Sequence, residues 1–131
     1  MAYVVIITML ALLQYLYFAV RVGGARGRFN IPAPAMSGNE EFERYVRVQQ
    51  NTLEQLVIFL PALWAAATVG NPFYACAAGL LFIIGRGLYA RAYVREPGSR
   101  TVGFVLTLLA NLALIGAALW GAQASPGPVA R

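Results

Sequence analysis

Apolar residues run through this chain in four long blocks, and one of them is entered through a polar helical stretch. Ala2–Val22, Pro72–Tyr93 and Thr101–Ala122 each approach the ~20 residues a helix needs to cross a bilayer. The remaining block, Glu40–Val69, reads EEFERYVRVQQNTLEQ before it turns apolar at Leu56. Leu56–Val69 is 14 residues, which as a helix covers about 21 Å. A hydrocarbon core is about 30 Å thick, so this helix must take roughly six more residues from its polar half. Asn51 and Glu54 are thereby drawn below the membrane surface. A carboxylate held there is costly and marks a functional site by default.

The connections predict how the blocks are joined. Gly23–Asn39 reads as a Gly/Pro-rich loop containing Pro32 and Pro34. Gly70-Asn71-Pro72 is a short uncharged turn, so the second and third helices form an antiparallel hairpin. Arg95–Arg100 joins the third to the fourth. The expectation is an all-α integral membrane protein: one four-helix transmembrane bundle over residues 1–123, followed by a disordered tail over 124–131. No internal repeat is visible.

Composition agrees with that class. The chain is 60% hydrophobic and 11% charged, with mean hydropathy +0.64, more apolar surface than a soluble domain of 131 residues can hide. Its formal charge of +5 comes from ten arginines against five glutamates, with no lysine, aspartate or histidine. The arginines are dispersed between apolar spans rather than gathered into a patch, which argues against nucleic acid as a partner. Without histidine, and with Cys76 alone in an apolar run, there is little to build a metal site from.

Arginines crowd loops 23–39 and 94–100 and are missing from the Asn71 turn and the N-terminus. By the positive-inside rule those two loops face the cytoplasm and both termini face the other side. No basic residue precedes the first apolar block, so it reads as a retained span rather than a signal peptide. Short loops and no lysine-rich retrieval tail fit a bacterial inner membrane.

The tight turn lets depths be compared by counting from Asn71. Glu54 lies 17 residues before it and Arg86 15 after; Asn51 and Tyr89 lie 20 and 18 away; Arg47 and Tyr93 lie 24 and 22 away. The constant offset of two residues is about 3 Å along a helix axis. Arg47, Asn51 and Glu54 share one helical stripe, as do Arg86, Tyr89 and Tyr93. One reading is internal neutralisation of Glu54 by Arg86. The other is a cationic pocket, with Arg91, Arg95 and Arg100 at the same mouth, for a small zwitterion carrying extra carboxylates. Arginine forks would take the carboxylates, and Glu54 an ammonium. Ser99 is a candidate N-cap for the fourth helix, which puts Arg100 in its first turn. A guanidinium at a helix N-terminus favours an anion such as a thiolate. The bland alternative is an arginine snorkelling to lipid headgroups.

At these residues the chain resembles the MAPEG family (membrane-associated proteins in eicosanoid and glutathione metabolism). The likeness is strongest to the branch of leukotriene C4 synthase and microsomal glutathione S-transferase 2. EFERYVRVQQNTLE over Glu41–Glu54 carries the F-E-R-x-x-R-x-Q-x-N-x-x-E pattern, and FLPALW follows. Arg86–Arg100 supplies R-x-x-Y-x-x-x-Y and a downstream arginine. With Ala25-Arg26 and the spacing of the spans, the resemblance covers nearly the whole chain.

It implies a homotrimer that binds glutathione between neighbouring subunits near the cytoplasmic face. Arg47, Asn51, Glu54, Tyr89, Tyr93 and Arg100 would contact glutathione from one subunit, and Arg26 and Gln49 would reach in from the next. Arg100 would be the catalytic residue that stabilises the thiolate. The chain departs from leukotriene C4 synthase at Gly27, Gln55 and Leu112, where that enzyme has arginine, tyrosine and tryptophan. The implied activity is therefore glutathione conjugation to other lipophilic electrophiles arriving from the bilayer, with peroxidase action on lipid hydroperoxides as a companion. Glutathione would be the co-substrate and no metal would be needed. The alternative is a non-catalytic lipid-binding scaffold of the same fold; a small transporter or channel is a weaker third.

Overall fold

A computed structural model describes residues 1–124 as four long helices. They are α1 (Ala2–Arg28), α2 (Glu40–Val69), α3 (Pro72–Arg95) and α4 (Thr101–Ala124), with one 3₁₀ turn at Pro97–Ser99. The tail expected over 124–131 falls, past Ala124, outside the described residues.

Helix α1 continues six residues beyond the predicted Val22, through Gly23, Gly24 and Gly27. Each glycine costs about 1 kcal/mol relative to alanine in a helix interior. Tertiary packing overrides that: Val22 and Ala25 are buried with Phe42, Tyr45 and Val46 of α2. The Phe29 N–H then closes the helix on the Ala25 carbonyl at 3.0 Å. Arg26 and Arg28 therefore sit on a helix, and the first connection shrinks to residues 29–39.

Helix α2 starts where Asn39 accepts the Phe42 N–H at 2.9 Å, with Glu40, Glu41 and Glu43 in its first turn. Acidic residues there complement the helix dipole. Asn71 caps α3 in the same way, accepting from the Phe73 N–H at 2.9 Å with Pro72 at the first helical position. Only Gly70 and Asn71 separate α2 from α3, so the predicted hairpin forms.

The start of α4 differs from expectation. The Ser99 hydroxyl turns back toward α3, its single proton directed at the Glu96 and Ala92 carbonyls at 2.7 and 3.2 Å, and it accepts no N–H of α4 among the described residues. Arg100 is instead the residue ahead of the helix, its carbonyl accepting the Phe104 N–H at 3.0 Å. Pro97 has already committed the chain to a 3₁₀ turn, which moves the boundary by one residue.

Phe59 and Phe82 stack at 3.9 Å between ring centroids in the centre of the bundle. Within the membrane-spanning part, helix α1 is tied in by Trp64 Nε1 donating to Thr8 Oγ1 and Gln14 Nε2 to the Ile83 carbonyl, each at 2.9 Å. Helices α3 and α4 touch through glycine. A Cβ on Gly103 would run into the Tyr89 backbone, and one on Gly85 would meet Leu106 Cβ at 2.9 Å. Small residues let membrane helices approach this closely, and this crossing sets where Tyr89 and Thr107 lie. The outer faces are apolar, with Leu13, Leu16 and Val20 of α1 and Leu109, Leu112 and Leu119 of α4 exposed. All four helices are long and apolar enough to cross a membrane.

Candidate functional site

Helices α2, α3 and α4 enclose a polar groove of about 480 Å³, within the range of small-molecule sites. It is lined by Arg47, Gln50, Asn51 and Glu54 of α2, Tyr89 and Tyr93 of α3, and Arg100 and Phe104 at the start of α4. The stripes expected from counting across the Asn71 turn thus face each other, because helices of equal rise on either side of a two-residue turn stay level. All six groove residues expected from one subunit are present. Gln50 and Phe104 are additions. Both had a signal, since Gln50 lies three residues after Arg47 and Phe104 four after Arg100.

Behind the groove lies Arg86, completely buried. Its Nη2 donates to Asn51 Oδ1 at 2.7 Å and Thr52 Oγ1 at 3.0 Å, and its Nη1 to Thr107 Oγ1 at 3.5 Å. Its guanidinium also lies 4.3 Å over the Tyr89 ring. The ion pairs among the described residues are Arg28–Glu41 and Arg44–Glu40, so Glu54 does not neutralise Arg86. Neutral oxygens and an aromatic face stabilise this cation. In bridging α2 to α3, Arg86 holds the Asn51 carboxamide in place and leaves the Glu54 carboxylate free in the groove.

The wall opposite α2 is aromatic. Tyr89 and Tyr93 stack with centroids 5.5 Å apart, and the Arg100 guanidinium sits 5.9 Å from the Tyr93 ring. Arg100 Nη1 donates to the Pro97 carbonyl at 2.9 Å, which leaves its other N–H groups without protein partners among the described residues. With Arg47 and Arg100 against Glu54, the groove is cationic overall and carries one anionic point.

Arg91 and Arg95, expected at this mouth, line a different crevice of about 500 Å³ between α1 and α3, together with Arg21. They lie on another face of α3 from Tyr89 and Tyr93. Arg26 and Gln49 are also outside the groove of their own chain. Arg26 Nη1 donates to the Ala35 carbonyl at 2.7 Å, and Gln49 Nε2 to the Tyr15 hydroxyl at 3.5 Å.

A smaller channel of about 210 Å³ runs between α2 and α4 and shares Phe104 with the polar groove. Ile58, Leu108, Leu112 and Ile115 make it apolar, and Gln55 and Asn111 interrupt it. A cationic groove next to an apolar channel, with Phe104 between them, can hold a charged hydrophilic reactant near a lipophilic one. Among the described residues no cluster of three His, Cys, Asp or Glu side chains is placed to hold a metal, and Cys76 is a half-buried thiol packed against the core.

Four apolar helices, with a charged groove formed by three of them, define a multi-pass integral membrane protein. The chain belongs to the MAPEG family, whose signature matches residues 4–120. It is 42% identical over 113 residues to human microsomal glutathione S-transferase 2, covering 85% of this chain and 77% of the relative. The mouse protein of the same name is 41% identical over 117 residues, covering 86% and 80%. An uncharacterized protein of the cyanobacterium Synechocystis sp. is 45% identical over 114 residues, covering 87% and 83%.

Proposed function

We propose that this protein is a membrane-bound glutathione transferase that joins glutathione, as its thiolate, to lipophilic electrophiles. The observation that carries this reading is the convergence of Arg47, Asn51, Glu54, Tyr89, Tyr93 and Arg100 on one groove. Glutathione brings two carboxylates, one ammonium and a thiol. Arg47 accommodates a carboxylate, Glu54 takes the ammonium, and the Asn51 carboxamide, fixed by Arg86, bonds the peptide backbone of the ligand. Arg100 is the catalytic residue: its free guanidinium hydrogens favour the thiolate over the thiol and lower a pKa that is ordinarily about 8.5. A preformed thiolate needs no general base, which suits a site without histidine.

The electrophile lies in the apolar channel, entered from the bilayer. The same thiolate reduces a lipid hydroperoxide by attacking its terminal oxygen and releasing the alcohol. A second glutathione then converts the sulfenic acid to the disulfide. Arg26 and Gln49, facing away from their own groove, complete the site of a neighbouring subunit in a homotrimer. The arginine-rich connections face the cytoplasm, where glutathione is found, and the cyanobacterial relative supports a bacterial inner membrane.

The test is turnover of a chloronitrobenzene by the purified protein, together with thermal stability with and without glutathione. The transferase reading expects both conjugation and stabilisation by a specific ligand. A non-catalytic lipid-binding scaffold, the competing reading, expects neither.

A further inference from the structure

Three arginines rim a crevice that contains no acid. Arg21 of α1 and Arg91 and Arg95 of α3 line the space of about 500 Å³ between those helices, and no Asp or Glu shares the lining. Arg21 and Arg91 each lie 19 residues past the first residue of their helix, Ala2 and Pro72, about 29 Å along the axis. A hydrocarbon core is about 30 Å thick, so both arginines stand at one membrane boundary. Arg21 donates to the Tyr17 and Tyr45 hydroxyls at 2.8 and 3.1 Å and lies over both rings. Its place is thus set by neutral groups. Arg91 and Arg95 enter no ion pair among the described residues. Below the rim, Phe18, Val48, Ala90 and Val94 make an apolar floor. The exposed Leu88, Ile84 and Leu80 continue it down α3, three, seven and eleven residues before Arg91 on one helical face. Among the described residues α1 bonds to α3 through Gln14 and the Ile83 carbonyl, about two turns deeper than Arg21.

We propose that this crevice binds one anionic phospholipid with an uncharged headgroup, its phosphate held by Arg21, Arg91 and Arg95 and an acyl chain laid on the apolar floor and along α3. Guanidinium forks match phosphate oxygens, and basic recesses between membrane helices suit such headgroups. A zwitterionic headgroup fits less well. Its ammonium would find no carboxylate in the crevice, whereas the polar groove offers Glu54. An arginine that only snorkels to the surface needs neither a recess nor an apolar track beneath it. The bound phosphate relieves the repulsion among three like charges. It also bridges α1 to α3 at a level where no protein hydrogen bond joins them among the described residues.

The experiment is native mass spectrometry of the full-length protein in neutral detergent, titrated with dioleoyl phosphatidylglycerol or dioleoyl phosphatidylethanolamine. Wild type is expected to retain one phosphatidylglycerol per chain and to bind it about tenfold more tightly than the ethanolamine lipid. Arg91→Gln alters an exposed, unpaired side chain, so the fold should not suffer. It lowers phosphatidylglycerol affinity about fivefold, and adding Arg95→Gln lowers it about as much again. Arg28→Gln removes the same charge from α1 outside the crevice and leaves the affinity unchanged. Equal affinity of wild type for the two lipids overturns the proposal. So does equal weakening by Arg28→Gln and Arg91→Gln, which belongs to a general attraction between basic surface and anionic lipid. Displacement of the lipid by an equal concentration of glycerol 3-phosphate assigns the site to a free phosphate and overturns it too. No turnover is read, so the outcome is separate from whether the polar groove is catalytic.

Discussion

The buried Arg86 makes a sharp test of how the groove is held. It is tied to α2 by Asn51 Oδ1 at 2.7 Å and Thr52 Oγ1 at 3.0 Å, and no carboxylate pairs with it. Asn51→Leu removes the shorter bond and leaves a buried cation short of an acceptor. Hydrogen bonds to charged groups are worth about 1.5–3 kcal/mol in soluble proteins, whereas interhelical bonds within membranes average about 0.6 kcal/mol. A loss of about 1.5 kcal/mol is expected here, because Thr52 and Tyr89 still serve the guanidinium. Adding Arg86→Met removes the charge that needed the acceptor. The threonines can then turn to their own helices, as Thr107 already does at 2.8 Å to the Gly103 carbonyl. Replacing a buried ion by an apolar side chain is often neutral or stabilising, so the double variant recovers about 1 kcal/mol or more over Asn51→Leu. Reversible unfolding by SDS titration in mixed micelles measures all four corners of the cycle. Additive effects within about 0.5 kcal/mol would refute the coupling. So would Glu54→Gln unfolding as easily as Asn51→Leu, since that result belongs to a Glu54–Arg86 ion pair.

Glu54→Gln is expected to weaken glutathione binding by about tenfold, the loss of one charge-assisted contact worth about 1.4 kcal/mol. An analogue lacking the ammonium should bind wild type and variant equally, and calorimetry distinguishes the two outcomes. Gly103→Ala places a methyl group against the Tyr89 backbone, so it should destabilise the bundle by about 1–3 kcal/mol through overpacking and reduce glutathione affinity with it. Thermal melts read with and without ligand check both. If sites are shared between subunits, co-expressing Arg26→Leu with Arg100→Leu restores activity that neither variant has alone. Lack of any recovery places Arg26 outside the site.

Depth along the helices was legible before the structure, because a two-residue turn and a constant rise leave one free number, the offset counted from Asn71. What a side chain reaches from its level was not. Arg86 is long enough to pass Glu54, its level partner, and bond Asn51 a turn away, and counting cannot choose between those ends. The run through Gly23 and Gly24 looked like a loop because local propensity was all the sequence offered there, and the partners that hold the helix, Phe42 and Tyr45, lie on α2. Arg91 and Arg95 share a helix with Tyr93 but face a different crevice, which their angular positions on α3 already encode. Gln55 carries no sign in the sequence of its hydrogen-bond partner, because Asn111 lies 56 residues away on another helix.

The central claim is that Arg100 turns bound glutathione into a thiolate. Ultraviolet difference absorbance on mixing glutathione with the purified protein reads that ionisation directly. Wild type should show a thiolate band below the pH at which free glutathione ionises, and Arg100→Leu should lose the band while the bundle stays folded. No band in wild type, or an undiminished band in Arg100→Leu, contradicts the account.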